Sequence, residues 1–203
     1  MKISIPGKIF VLGEYAALAG LPSVVAAMGP RFVFDCVDFN GTKVDQFSQV
    51  NFEIHPDSPA GRLLSFAKGQ GISFEQSIEF SDPYGGKGGF GASTAQFVTV
   101  YCLLAEKAGL KRGWKNVWEL YREVLKSERV PPSGADLVAQ CQGGTSLFSF
   151  AGSPEMPVWE GLSLADSNLL VFSATDQSGR KVPTHDHLKS LETDLNYSQM
   201  PYI

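Results

Sequence analysis

Residues 85–94 read Gly85-Gly86-Lys87-Gly88-Gly89-Phe90-Gly91-Ala92-Ser93-Thr94 and lead directly into a segment with helical apolar spacing. No other stretch constrains the chain as much. Five glycines let backbone N–H groups crowd around one point. A helix N-terminus adds unpaired N–H groups and partial positive charge, so a strand–loop–helix of this kind has the geometry of a phosphate cradle. The plain alternative is a flexible turn between strand and helix. Residues 86–91 formally satisfy the dinucleotide pattern GxGxxG. The acidic residue that this pattern requires about 20 residues further on falls at Glu106, inside the predicted helix, which argues against a dinucleotide fold. The pattern GxxxxGK[ST] is absent.

Around this loop the patterning alternates strands and helices. A short strand is predicted over residues 2–5, then a loop over 6–20, and β-rich segments over 23–28, 31–37 and 50–55. Ser58 as cap and Pro59 at the first helical position start a helix over 60–68. A strand over 74–80 precedes the glycine loop. The helix after it places Phe97, Val98, Tyr101, Cys102, Leu104, Ala105 and Ala108 at three- and four-residue spacing and ends at Gly109. A helix over 115–127 gathers Val117, Trp118, Tyr121, Val124 and Leu125 on one face. Pro131-Pro132 break the chain, and a short helix over 135–142 lies between Ser133-Gly134 and Gly143-Gly144. Strands over 145–150, 158–160 and 168–174 and a last helix over 185–195 complete the pattern.

The chain has 203 residues, 43% of them hydrophobic, which is enough for a sizeable core without staples. Its net charge of −4 is shared evenly between the halves, so no basic surface is set aside for a nucleic acid or a membrane, and neither is expected as a partner. Cys36, Cys102 and Cys141 each sit in an apolar run without CxxC spacing, which reads as reduced core thiols in a cytoplasmic protein rather than a zinc site. The N-terminal residues lack the apolar run of a signal peptide, and no segment approaches a membrane span.

Two further segments sharpen the reading. Pro6-Gly7-Lys8, a short apolar run and Gly13-Glu14 resemble the first motif of the GHMP small-molecule kinases. Gly89-Phe90-Gly91-Ala92-Ser93-Thr94-Ala95 is similar to their second motif, GLGSSAA, with Phe for Leu, Ala for the first Ser and Thr for the next Ala. Pro132-Ser133-Gly134-Ala135-Asp136, followed by Gly143-Gly144, resembles the PSGVD…GG segment of the mevalonate and phosphomevalonate kinase branch. The three occur in family order and cover roughly residues 1–190. The resemblance implies an α+β fold, the GHMP-kinase N-terminal domain, with a mixed or antiparallel sheet and helices packed on one side. It implies ATP and Mg²⁺ as cofactors and phosphorylation of a small-molecule acceptor, mevalonate-like or sugar-like. Other enzymes of the family, a sugar kinase or a diphosphomevalonate decarboxylase, and a non-catalytic nucleotide- or partner-binding protein are the rival readings.

The same resemblance assigns roles. Asp136 matches the catalytic aspartate, and a carboxylate beside a substrate hydroxyl is what a general base in phosphoryl transfer requires; taken alone it could simply cap the next helix. Lys8 matches a lysine expected beside that aspartate, where its charge stabilises charge in transfer. Gly85, Gly86, Gly88, Gly89 and Gly91, with Ala92, Ser93 and Thr94, match the nucleotide-phosphate loop. Ser93 matches a Mg²⁺-coordinating serine, and Glu128 looks like the magnesium-binding glutamate, an oxygen donor suited to a hard cation. Glu14 is expected to orient the first-motif loop. His185 and His187 diverge on a helix and are not read as a metal pair. His55 has no evident partner, and Trp114, Trp118 and Tyr121 are read as helix core.

Length completes the expectation. The family carries a second, C-terminal domain of about 100 residues or more, and 203 residues suffice for one domain of usual size rather than both. Residues 1–185 are therefore expected to form the ATP-binding domain and residues 186–203 to begin a truncated second one. Either a homodimer partner or a separate chain then completes the site, or the sequence is a fragment of a longer protein, or full catalysis has been given up.

Overall fold

Phe32, Phe34 and Cys36 are buried, and Val33 and Asp35 between them are not. This period of two belongs to a strand with one covered face. It lies in the longest strand of the computed structural model, which describes residues 1–38, 54–72, 76–128, 130–150 and 156–163. The element order is β1 (Lys2–Leu12), α1 (Glu14–Leu18), β2 (Ser23–Asp38), α2 (Pro59–Gly69), β3 (Gln76–Ser81), α3 (Ala92–Ala108), α4 (Trp114–Val124), α5 (Ala135–Gln142), β4 (Thr145–Ser149) and β5 (Val158–Leu162). All these elements lie in one unit, Met1–Asp166. The strand expected over 168–174, the helix over 185–195 with His185 and His187, and the domain boundary after residue 185 lie outside the described residues. So does most of the strand expected over 50–55.

The sheet is antiparallel throughout its described pairings and is organised around β2. β1 pairs along one edge of β2; β4 and β3 share the other edge, and β5 pairs with β4. With the helices this is the α+β architecture that the resemblance implies. α3 and α5 pack on β1 and β2, α2 packs on α3, and α4 packs on α5. Between the sheet and α2, α3 is buried on nearly every side, with Phe97 and Leu104 essentially inaccessible. Burial of Phe97 alone stabilises by about 1.5–3 kcal/mol. By contrast α4 is amphipathic: Val117, Trp118 and Tyr121 face inward while Lys115, Glu119 and Glu123 are exposed.

Two expectations need correction. The Pro6-Gly7-Lys8 segment, read as a loop, is part of β1. Proline lacks an N–H but is tolerated on an edge strand, and the pairing passes it through an irregularity in which Pro6 faces Arg31 and Gly7 faces Met28. The rest of the expected loop contains α1. The segments over 23–28 and 31–37, read as separate, are one continuous strand. Elsewhere the local signals agree with the structure. Ser58 Oγ accepts the Gly61 amide at 3.1 Å at the start of α2, Gly109 caps α3, and α5 spans the expected residues. His55 lies in the turn before α2, its Nδ1 accepting the Asp57 amide at 3.2 Å. Cys36, Cys102 and Cys141 carry no disulfide. No helix among the described residues is long and apolar enough to cross a membrane.

Candidate functional site

Lys8 follows the irregularity in β1, and its main chain is fixed from outside the sheet. Its amide donates to the Phe90 carbonyl at 2.9 Å, joining the edge of β1 to the glycine loop. The loop itself has two differently built halves. In the first, the Asp82 carboxylate accepts the amides of Tyr84 and Gly86 through its two oxygens, each at 2.8 Å. The Gly85 amide donates to the Asp82 carbonyl at 3.3 Å. The amides of Gly85 and Gly86 are thus engaged within the turn. In the second half, Gly91 caps α3 with φ +86°, and its carbonyl receives the Ala95 amide at 2.9 Å. The amides of Ala92, Ser93 and Thr94 have no acceptor within the helix, as at any helix start. Thr94 turns its buried hydroxyl inward onto the Gly91 carbonyl at 3.0 Å, while Ser93 is exposed. Phe90, which stands where GLGSSAA has Leu, stacks on Tyr84 with centroids 4.3 Å and planes 7° apart. Tyr84 Oη donates to the Pro30 carbonyl at 2.6 Å.

Asp136 enters from the first turn of α5, where its Oδ1 accepts the Leu137 amide at 2.9 Å. Its Oδ2 lies 4.0 Å from Lys8 Nζ, with the lysine side chain 7% and the aspartate 23% exposed. At an effective dielectric near 20 this separation corresponds to about 4 kcal/mol of attraction, much of it offset by desolvating the ammonium. The Phe10 ring lies 4.6 Å from the same ammonium. The loop before Asp136 is held by α4. Trp118 Nε1 donates to the Ser133 carbonyl at 2.9 Å, and Arg122 donates to the Pro132 carbonyl at 2.7 Å. Burial lowers the Arg122 pKa. Burial, with Asp136 adding to it, pushes the Tyr121 phenol well up, so Tyr121 stays neutral beside that carboxylate. Trp118 and Tyr121 are buried, as core residues should be.

No family model and no curated protein matches the sequence. Solved structures do match. A protein from Listeria innocua aligns with a TM-score of 0.61 at 20% identity over 97% of this chain and 67% of that one. The Streptococcus pneumoniae phosphomevalonate kinase, solved with phosphomevalonate and AMPPNP, aligns with a TM-score of 0.54 at 19% identity over 73% of this chain and 49% of that one. The Methanococcus jannaschii mevalonate kinase aligns with a TM-score of 0.56 at 13% identity over 80% of this chain and 56% of that one. The fold is that of the GHMP kinases. The chain spans about half the length of the two named kinases.

Within this GHMP fold, segments far apart in sequence meet around Gly91. A Cβ on Gly91 would lie 2.8 Å from Lys8 Cγ and 2.7 Å from Gln140 Nε2, so only glycine allows the lysine stem and the glutamine amide to pass against the start of α3. Lys8, Asp136 and the second half of the loop are brought together. Glu128 has a different partner: its carboxylate pairs with Arg62 of α2 at 2.5 Å. Among the described residues no group of three or more His, Cys, Asp or Glu side chains is placed to hold a metal ion. Three contributors escaped the sequence reading. They are Asp82, which heads the loop's first turn, Arg122, which holds the segment before Asp136, and Gln140. Gln140 was detectable, because it lies four residues after Asp136 and so shares its face of the helix.

Proposed function

We propose that the chain is the nucleotide-binding part of an ATP-dependent kinase that phosphorylates a hydroxyl or phosphate group of a small molecule of the mevalonate or phosphomevalonate kind. The observation that carries this reading is the pairing of Lys8 with Asp136 at 4.0 Å, with the lysine stem lying against the N-cap of α3. The amides of Ala92, Ser93 and Thr94, the helix dipole and the Lys8 ammonium bind phosphate charge. Asp136 accepts the proton of the acceptor hydroxyl, and Lys8 offsets the charge that develops there. A hard cation such as Mg²⁺ fits the exposed Ser93 hydroxyl as one oxygen ligand, with phosphates and water as the others. When bound it neutralises phosphate charge. Glu128, whose Oε1 is paired with Arg62, is not counted in that set.

Support for the class comes from the neighbours, which include a mevalonate kinase and a phosphomevalonate kinase solved with AMPPNP. The test is a coupled ADP-release screen against mevalonate, phosphomevalonate, diphosphomevalonate and a panel of sugars, with CO₂ measured in parallel. Acceptor-dependent ADP supports the reading. CO₂ release with diphosphomevalonate would reassign the chain to decarboxylation. One observation favours a second reading, a nucleotide-binding protein without turnover: the Arg62–Glu128 pair occupies a carboxylate that the kinase reading would give to the metal. Stabilisation by Mg·ATP without ADP release from any acceptor would establish that second reading.

A further inference from the structure

Gln140 lies on α5 one turn beyond Asp136 and is 4% exposed. Its Nε2 donates to two carbonyls from opposite parts of the site, Pro6 at 2.9 Å and Gly91 at 3.0 Å. The opposite orientation of the amide would set Oε1 against two carbonyl oxygens, so the donors are fixed by their partners. Oε1 in turn is buried and has no hydrogen-bond partner among the described residues. A buried glutamine held this way is a poor choice for packing alone, since an apolar side chain would fill the space without an unpaired oxygen. What the amide does achieve is a link. The Pro6 carbonyl lies two residues before Lys8 on the edge of β1. The Gly91 carbonyl is the acceptor at which α3 begins, already shared by the Ala95 amide and the Thr94 hydroxyl.

We propose that Gln140 is a positioning residue of this site. Its side-chain amide locks the strand that carries Lys8 to the loop that opens α3, so that the ammonium and the free amides of residues 92–94 act as one preorganised anion-binding unit. The inference rests on the kinase reading for its purpose but not for its geometry. The Lys8–Phe90 main-chain bond is the neighbouring link across the same seam. Without Gln140 the Lys8–Phe90 bond is the remaining hydrogen bond across this seam among the described residues, and Lys8 gains freedom relative to α3.

The test uses Gln140→Met and Gln140→Glu in the full chain. Amide hydrogen exchange by NMR, without nucleotide, reads the seam itself. In Gln140→Met, exchange at the Lys8 and Ala95 amides should rise about tenfold, the effect of one lost hydrogen bond, while the β2–β4 amides stay unchanged. Gln140→Glu should show the same loosening at pH 8. It should recover protection as the pH is lowered, because burial and the two facing carbonyls raise the carboxyl pKa above its free value and the protonated acid can again donate to one carbonyl. Unchanged exchange at Lys8 and Ala95, or a uniform rise at all amides without the pH-dependent recovery, would overturn the inference. In parallel, Mg·ATP titration should show affinity at least about tenfold weaker in Gln140→Met than in wild type; equal affinity would also overturn it. If wild type binds no Mg·ATP, the kinase reading fails, and the exchange data still decide the role of the clamp.

Discussion

Replacing Gly91 by alanine places a methyl group where the Lys8 stem and the Gln140 amide already lie, at 2.8 and 2.7 Å from the new carbon. Two costs add. Holding a non-glycine residue at φ +86° costs about 1–2 kcal/mol, and forcing a methyl group into filled space costs about 1–3 kcal/mol. If the loop stays in place, the variant loses about 2–5 kcal/mol, which for a chain of this size lowers Tm by about 4–20 °C. If the loop yields instead, less stability is lost but Lys8 and the start of α3 move apart, and the damage passes to nucleotide binding. Urea denaturation and Mg·ATP titration of the same preparation separate these routes. A Gly91→Ala protein with both wild-type stability and wild-type affinity would refute the claim that the Lys8 stem and the Gln140 amide meet at Gly91.

Other perturbations read different parts of the site. Asp136→Ala should lower turnover by about 10²–10⁴-fold in the ADP-release assay while keeping most nucleotide affinity; turnover like wild type would remove Asp136 from proton transfer. Glu128→Gln breaks a half-exposed pair with Arg62 and should cost less than about 1 kcal/mol in urea denaturation, leaving the Mg·ATP-induced rise in Tm intact. Loss of that rise would place Glu128 on the metal. Burial pushes the Cys141 thiol up to about 12, above the ordinary thiol value of about 8.5. Its contribution to stability is therefore complete below about pH 8.5. It declines as pH rises, because the unfolded chain releases a proton that the folded chain keeps, and by pH 11 the loss is about 3 kcal/mol. Cys141→Ala should flatten the fall in stability between pH 8 and 11, and an unchanged slope would assign the alkaline loss to other groups.

Much of the helical framework was legible because its signals are local. Ser58-Pro59 starts α2, Gly109 ends α3, and the paired glycines after Gln142 end α5, each through a backbone effect that needs no knowledge of the fold. β1 was misjudged because Pro6-Gly7 looks like a break unless the strand is known to lie on an edge, and edges are a property of the assembled sheet. The Lys8–Asp136 pair followed from the motif resemblance, as spacing alone does not bring residues 128 positions apart together. The Arg62–Glu128 pair was not readable, since it depends on how α2 passes the end of α4. Gln140 was the missed opportunity: four residues from Asp136 on a short helix, it could have been placed on the same face before any coordinates were known.

The central claim is that Lys8 and the start of α3, beside Asp136, form a site for nucleotide phosphates, and Mg·ATP titration followed by thermal unfolding tests it most directly. At about 100 times its Kd the ligand should add about 2.7 kcal/mol, which raises Tm by about 5–11 °C, with the rise largely lost in Lys8→Met. An unchanged Tm in wild type at millimolar Mg·ATP would contradict the claim.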